Sequence, residues 1–313
     1  MLRIIIRRLL LSIPLIVIVS AITFVLETLV PGDPATSLLG VYATPEQYAA
    51  VRQTLHLDLP VWQQFGLYLQ GMLHGDLGTS VFTHEPVTTI VLSRLTVTLS
   101  LVFGATVVAT AVGILLGVYS ATRGRLMRRL VDVGSLLGSA LPAFWVALAL
   151  MAVFAVGLRW FPATGYVPPG QSITGWLSSL ALPVVALSIG GVALIAKITR
   201  DAMLSTLRQD YIRTLRASGV STRSIIWRHA LRNAGLSVVT AIGLTMISFF
   251  AGSVLVESVF VLPGLGNAVV AATNQHDVPV VQGIAVTFTI VVIVVNLLTD
   301  IAYGLLNPKV RAA

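Results

Sequence analysis

The chain has 313 residues, of which 56% are hydrophobic and only 10% charged, against roughly 25% charged in a soluble globular chain. So few charges cannot clothe a water-soluble domain of this length. The absence of cysteine excludes disulfides, thiolate zinc sites and cysteine nucleophiles. The net charge of +8 would suit a nucleic-acid binder, but only Lys197 and Lys309 are lysines, and lysine-rich or aromatic-interleaved tracts are absent. No nucleic-acid partner is expected, and the basic residues have to be explained by where they lie.

Read in chain order, stretches free of Asp, Glu, Lys and Arg and about 20 residues long mark candidate membrane helices. The first span, 9–30, follows Arg3, Arg7 and Arg8. Those arginines and Val19-Ser20-Ala21 resemble a signal peptide and its cleavage site, but the apolar run is too long for a signal core, so retention is expected.

The segment 31–94 comes next and carries helix signals of its own. Thr44 can cap a helix with Pro45 in its first turn and Gln47 at the capping-box position, which puts Tyr48, Val51 and Leu55 on one face. Trp62, Phe65, Leu69 and Met72 repeat at helical spacing. This segment fits either a membrane-surface element or a small cap ready to receive another protein.

The second and third spans, 95–122 and 133–158, contain the close-packing spacings Gly113/Gly117 and Gly134/Gly138. Intramolecular packing explains these pairs more simply than a dimer seam does. Pro162, Pro168, Pro169 and Gly170 predict a loop before the fourth span, 173–197. Pro142, Pro183 and Gly190-Gly191 are candidate bends in spans three and four. The segment 198–232 leads to the fifth span, 233–256, and the sixth is 278–303. The expected fold is an all-α integral membrane protein with six transmembrane helices and a helical extracytoplasmic insertion between the first two. Seventeen of the twenty basic residues fall on one side of this plan, which makes that side cytoplasmic and places both termini there.

Glu27, Asp132, Lys197, Glu257 and Asp300 all fall at or near the ends of the expected spans. An ion-coupled carrier or channel would need such groups deep in the bilayer. A phosphate loop requires Gly-Lys, but Lys197 follows Ala196 and Lys309 follows Pro308. His84-Glu85 starts like a zinc-protease helix, yet Pro86 follows and Thr88 stands where the second histidine belongs. His56, Asp58, His74, Asp76, His84 and Glu85 are the candidates for a membrane-bound enzyme, and they lack fixed spacing. No catalytic residue, metal or cofactor is therefore expected in this chain.

The segment 198–232 holds seven arginines, and Lys197 borders it. Basic and apolar residues alternate at helical spacing (Tyr211, Leu215, then Ile225, Ile226, Leu231). Gly219, Ser221 and Thr222 supply a turn between two short helices. The pattern fits both an orientation signal resting on anionic lipid and a docking surface across the cytoplasmic helix ends.

The stretch DYIRTLRASGV (210–220) with RHALRNA (228–234) resembles the cytoplasmic signature loop of ATP-binding-cassette importer permeases, in the form of the dipeptide/oligopeptide/nickel branch. PGDP (31–34), GDLGTS (75–80), LPAFW (141–145), ESVFVLPGLG (257–266) and Asn307-Pro308 are similar to that branch as well. The resemblance covers essentially the whole chain. It places Arg213, Thr214 and Leu215 at the Glu-Ala-Ala positions, Gly219 at the motif glycine, and His229 and Leu231 at the later Ile-x-Leu positions. Leu215 and Ser218 depart from the branch's usual Ala and Lys.

The resemblance further implies that a coupling helix between the fourth and fifth spans contacts an ATPase subunit through Asp210, Tyr211, Arg213, Thr214, Leu215, Arg216, Ala217, Gly219, His229 and Leu231. It implies a second homologous permease chain, two ATPase subunits that bind ATP and Mg, and an extracytoplasmic binding protein. The implied setting is the cell membrane, and the implied cargo is a peptide, with nickel or glutathione as alternatives within the branch.

Overall fold

A computed structural model describes residues 2–40 and 42–306. Its regular structure is helical; the described residues contain no strand, only an isolated bridge between Thr79 and Pro86. Five helices are long and apolar enough to cross a membrane: Arg8–Leu29, Val87–Thr122, Ile173–Leu207, Thr222–Phe260 and Val278–Leu305. A bent pair, Leu126–Ala140 with Ala143–Gly157, makes six if it is taken as one span.

The chain divides into two compact units, 3–97 with 263–293 and 98–262 with 294–313, together with the first two residues. The unit containing 3–97 begins with α1 (Leu2–Leu29), whose Leu9, Leu10, Leu11 and Ile13 are exposed, as an apolar helix facing lipid requires. Three short helices follow: α2 (Pro34–Leu39), α3 (Pro45–Thr54) and α4 (Val61–Leu73).

The expected signals act where they were read. Thr44 and Gln47 form a reciprocal capping box at the start of α3, and Trp62 to Met72 lie in α4. The core of this unit joins Val87, Ile90 and Val91 of α5 (Val87–Thr122) to Leu265 and Ala268 of α12 (Leu265–Gln275) and Val281 and Ile284 of α13 (Val278–Leu306). Helix α12 has no counterpart in the sequence expectation. It is short and opens at Gly264 without a side-chain cap, so it carries none of the usual start signals. Helix α5 starts well before the expected 95, because Arg94 interrupts the charge-free run without interrupting the helix.

In the other unit α8 (Ile173–Leu207) packs against α6 (Arg125–Ala140), α7 (Ala143–Leu150) and α11 (Leu231–Phe260). Small residues allow the approach. A Cβ on Gly117 would stand 2.6 Å from Cβ of Thr199, one on Gly113 would stand 2.8 Å from Ile195, and one on Gly138 would stand 2.9 Å from Ala193. Three of the four glycines read as packing positions therefore serve intramolecular contacts. Gly134 has open space at its Cα.

The expected third span, 133–158, is not one straight helix. The chain turns by 96° between its two halves at Leu141-Pro142, where both residues adopt extended ψ. Proline has no N–H to continue the ladder and pushes the residue before it out of helical geometry. The second half ends in a π-helical stretch, Met151–Gly157. Pro183, by contrast, sits inside an unbroken α8. The predicted Pro/Gly loop precedes α8, which begins at its Ser172 cap. It is pinned by Gly165 N–H donating to the Phe260 carbonyl at 3.0 Å.

Candidate coupling site

The helix α8 runs ten residues past Lys197, where its span was expected to end, and stops at Leu207. After two connecting residues α9 (Asp210–Ala217) begins. Asp210 lies in its first turn and Arg216 in its last, each at the end where its charge complements the helix dipole.

One face of α9 looks inward: Ile212 is fully buried and Leu215 half-buried. Tyr211, Arg213, Thr214, Arg216 and Ala217 are exposed. Arg213 lies 3.4 Å from Asp210, with side chains 77% and 93% exposed, and a pair so open to solvent contributes little stability.

The helix ends in a Schellman arrangement. Gly219 N–H donates to the Arg216 carbonyl and Val220 N–H to the Leu215 carbonyl, each at 3.1 Å. Such a stop needs a left-handed residue after the cap, and Gly219 has φ +77. A Cβ there would meet nothing within 4 Å, so the requirement for glycine is one of backbone conformation. At its start α9 is held to the root of α11: the Asn233 amide donates to Tyr211 Oη at 3.1 Å and to Gln209 Oε1 at 3.4 Å.

The second short helix expected after the turn is not a separate element. Ser221 caps α10 (Thr222–Ser224), and the chain continues through a π-helical stretch, Ile225–Ala230, directly into α11. The turn signal at Gly219 was legible, but nothing interrupts Ile225 to Leu231. His229 is half-buried. Leu231 packs on the cluster formed by Val118, Met203, Ala230 and Ala234. The ten sequence-derived residues therefore separate into two groups. Asp210 to Gly219 make one exposed element, with Leu215 on its inner side, and His229 and Leu231 belong to the base that carries it.

Sequence reasoning missed part of that base. Arg200 was read as a topology charge, yet its side chain is only 9% exposed and pairs with Asp132 of α6 and with Asp201 at 2.9 Å. The signal was present, since Ile195, Thr199, Arg200, Met203 and Thr206 form the buried stripe of α8. A buried guanidinium needs such partners, and this one ties α6 to α8.

In the unit containing 3–97, two further motifs converge on His276-Asp277, between α12 and α13. His276 adopts φ 61. Its Nε2 lies 3.1 Å from the Pro31 carbonyl and its Nδ1 3.2 Å from Ser37 Oγ. Gly32 lies directly beneath the imidazole, where any Cβ would overlap the ring. In the same motif Asp33 caps α2 through the Ala35 N–H and pairs with Arg52. Hydrogen bonds from Arg52, first of all to Asp58, hold its guanidinium further above its ordinary value.

Asp277, 3% exposed, accepts from Ser80 Oγ and, at 3.3 Å, from the Val81 N–H. PGDP and GDLGTS are thus staples on one helix junction. In the other unit Glu257 of ESVFVLPGLG is fully buried and accepts from Thr98 Oγ1 at 2.7 Å. Asn307-Pro308, Lys309 and Arg311 lie outside the described residues, as do the side chains of Arg3, Arg7 and Arg125.

Residues 113–312 match the family described as binding-protein-dependent transport system inner membrane component, and residues 1–102 match its N-terminal membrane-component family. A Brucella abortus (strain 2308) protein, provisionally named a peptide transport system permease, is 41% identical over 311 residues, covering 98% of each chain. The dipeptide transport system permease protein DppB of Escherichia coli (strain K12) is 36% identical over 336 residues, covering 99% of each. Among solved structures, an inward-facing MetNI methionine ABC transporter chain matches with a TM-score of 0.52 and 18% identity, over 70% of this chain and 97% of that one. At that identity the likeness is one of fold. The chain belongs to the family of binding-protein-dependent transport system inner membrane components.

Proposed function

We propose that this chain, as a member of that family, is a membrane-spanning permease subunit of an ATP-binding-cassette importer for peptides. The observation that carries the mechanism is α9: a short helix with an exposed polar face, closed at its C-terminal end by the turn at Gly219 and hydrogen-bonded near its start to the root of α11. A partner ATPase that closes on ATP pushes on that face. Because the inner face of α9 is buried through Ile212 and its start is tied to Asn233, the push moves α8 and α11 rather than a loose loop. The Arg200 pair carries the motion on to α6, and the spans open the cargo path to one side of the membrane and then the other.

In this reading the contact residues are Asp210 to Ala217 and Gly219, with His229 and Leu231 as support. ATP and Mg reside in two ATPase subunits, and no catalytic group is needed in this chain. A second permease chain completes the path, and a binding protein delivers the peptide to the side carrying 31–94. The chain crosses the inner membrane six times, with α6 and α7 as the bent third span, and both termini are cytoplasmic. The peptide cargo rests on the names of the relatives, each covered nearly end to end.

The test is Gly219→Leu in the assembled transporter. A branched residue at φ +77 is strained by roughly 1–2 kcal/mol and disrupts the end of α9, where its Cβ meets no other atom within 4 Å. Membrane insertion is expected to be unchanged, with ATP-driven dipeptide uptake lost. Wild-type uptake by this variant would refute the coupling role.

A further inference from the structure

Trp227 lies in the π-helical stretch at the root of α11 and stands, 45% exposed, between two open grooves, forming a wall of each. One groove, of about 340 Å³, follows the end of α5 past Leu115, Tyr119 and Arg123. The other, of about 310 Å³, follows α11 past Arg232, Val238 and Ile242. Both are formed wholly within the unit containing 98–262, and no residue of α8 lines either one. They therefore open on the side of α5 and α11 that faces away from α8.

The walls are mainly apolar, but each groove carries one exposed arginine. Neither Arg123 nor Arg232 has an acidic partner among the described residues. The Arg123 guanidinium rests over the Tyr119 ring, 5.2 Å from its centroid. A guanidinium stacked on an aromatic face keeps its N–H fork for a planar or tetrahedral anion such as phosphate.

The dimensions are those of one membrane leaflet. At 1.5 Å per residue, Leu115 to Arg123 spans roughly 12 Å and Arg232 to Ile242 roughly 15 Å, against roughly 15 Å for half of the hydrocarbon core. Trp and Tyr are the side chains enriched where that core meets water. A protein segment covering this surface would have to fill two separate apolar grooves and bring a carboxylate to each arginine. A molecule with two hydrocarbon chains and one anionic head has that form already.

We propose that this site binds one anionic diacyl phospholipid, with an acyl chain on each side of Trp227 and the phosphate held by Arg123 and Arg232. Behind the grooves Ala230 and Ala234 pack with Val118 and Met203, and Asn233 of the same turn holds the start of α9. The bound lipid thus braces the base from which α9 projects. Binding itself requires no ATPase and stands whether or not α9 is a coupling helix.

The experiment places the full chain in phosphatidylcholine nanodiscs and replaces part of the lipid by phosphatidylglycerol brominated on its acyl chains, or by phosphatidylcholine brominated in the same way. The Trp227 signal is the fluorescence difference between the wild type and Trp227→Phe. Saturable quenching is expected at a mole fraction of the phosphatidylglycerol probe at least about tenfold below that of the phosphatidylcholine probe, since each arginine near the surface favours anionic lipid about fivefold. Arg123→Gln combined with Arg232→Gln is expected to abolish this preference while weak quenching by both probes persists, because both residues are exposed and the apolar walls remain. The chain assembled with its partner subunits is expected to show the same preference. Absent quenching, equal quenching by the two probes, a preference indifferent to the arginine substitutions, or quenching lost on assembly, which would give the grooves to a second permease chain, would each overturn the inference.

Discussion

The junction at His276-Asp277 and the helix α9 are both built around short polar motifs, but the motifs relate to the rest of the chain in opposite ways. At the junction nearly every motif residue has an internal partner. The His276 ring is held by Pro31 and Ser37, Asp277 by Ser80 and Val81, and Gly32 is a glycine because the imidazole occupies its side-chain space. Intramolecular packing accounts for those residues completely. On α9 the chain's own contacts account for the inner face and the C-terminal stop at Gly219, while Arg213, Thr214, Arg216 and Ala217 stay exposed. A motif whose own fold leaves half of it unused is the one to assign to a partner.

Substitutions at the two sites should separate stability from transport. The largest stability loss is expected from Asp277→Ala, which strands the Ser80 hydroxyl and the Val81 N–H in a buried site. A cost of about 3 kcal/mol should appear as a lowered melting temperature of the purified protein. Asp132→Ala is expected to cost about 1–2 kcal/mol in the same assay, because Arg200 keeps Asp201 while losing its link to α6. Thr44→Ala removes one half of the capping box on exposed α3 and should cost about 1 kcal/mol, read as faster amide exchange confined to α3. Arg213→Ala should move stability by less than about 0.5 kcal/mol yet lower ATP-driven uptake in the assembled transporter. A large melting shift for Arg213→Ala, or none for Asp277→Ala, would dissolve the distinction between staple and interface.

These regions also differ in how far the sequence could be read. The all-helical, apolar character, the capping box at Thr44, the helix at Trp62 and the loop at Pro168 were legible, because each rests on composition or on local chemistry within a few residues. Helix α9 and its stop at Gly219 were legible for the same reason. What escaped depends on residues far apart in the chain. The partner of Asp277 lies nearly two hundred residues earlier, and Arg200 becomes a tie only when Asp132 of α6 is laid beside it. The bend at Pro142 was a candidate alongside Pro183. Which of the two would break its helix was not decidable from sequence, because proline is tolerated where neighbouring helices accommodate the freed carbonyl, as in α8. The run from Ile225 to Leu231 was divided from α11 only because charge-free length set the expected span.

The central claim, that the exposed face of α9 rests on an ATPase subunit, has a direct test made simple by the absence of cysteine in this chain. Ala217→Cys places one reactive thiol on the exposed side of α9 without altering the backbone bonds of its C-terminal stop. In the assembled transporter this thiol is predicted to cross-link to the ATPase subunit through a short bifunctional reagent, with a yield that changes when ATP is bound. If Ala217→Cys labels freely with a soluble maleimide in the assembled complex and never yields a permease–ATPase adduct with or without ATP, the coupling account is contradicted.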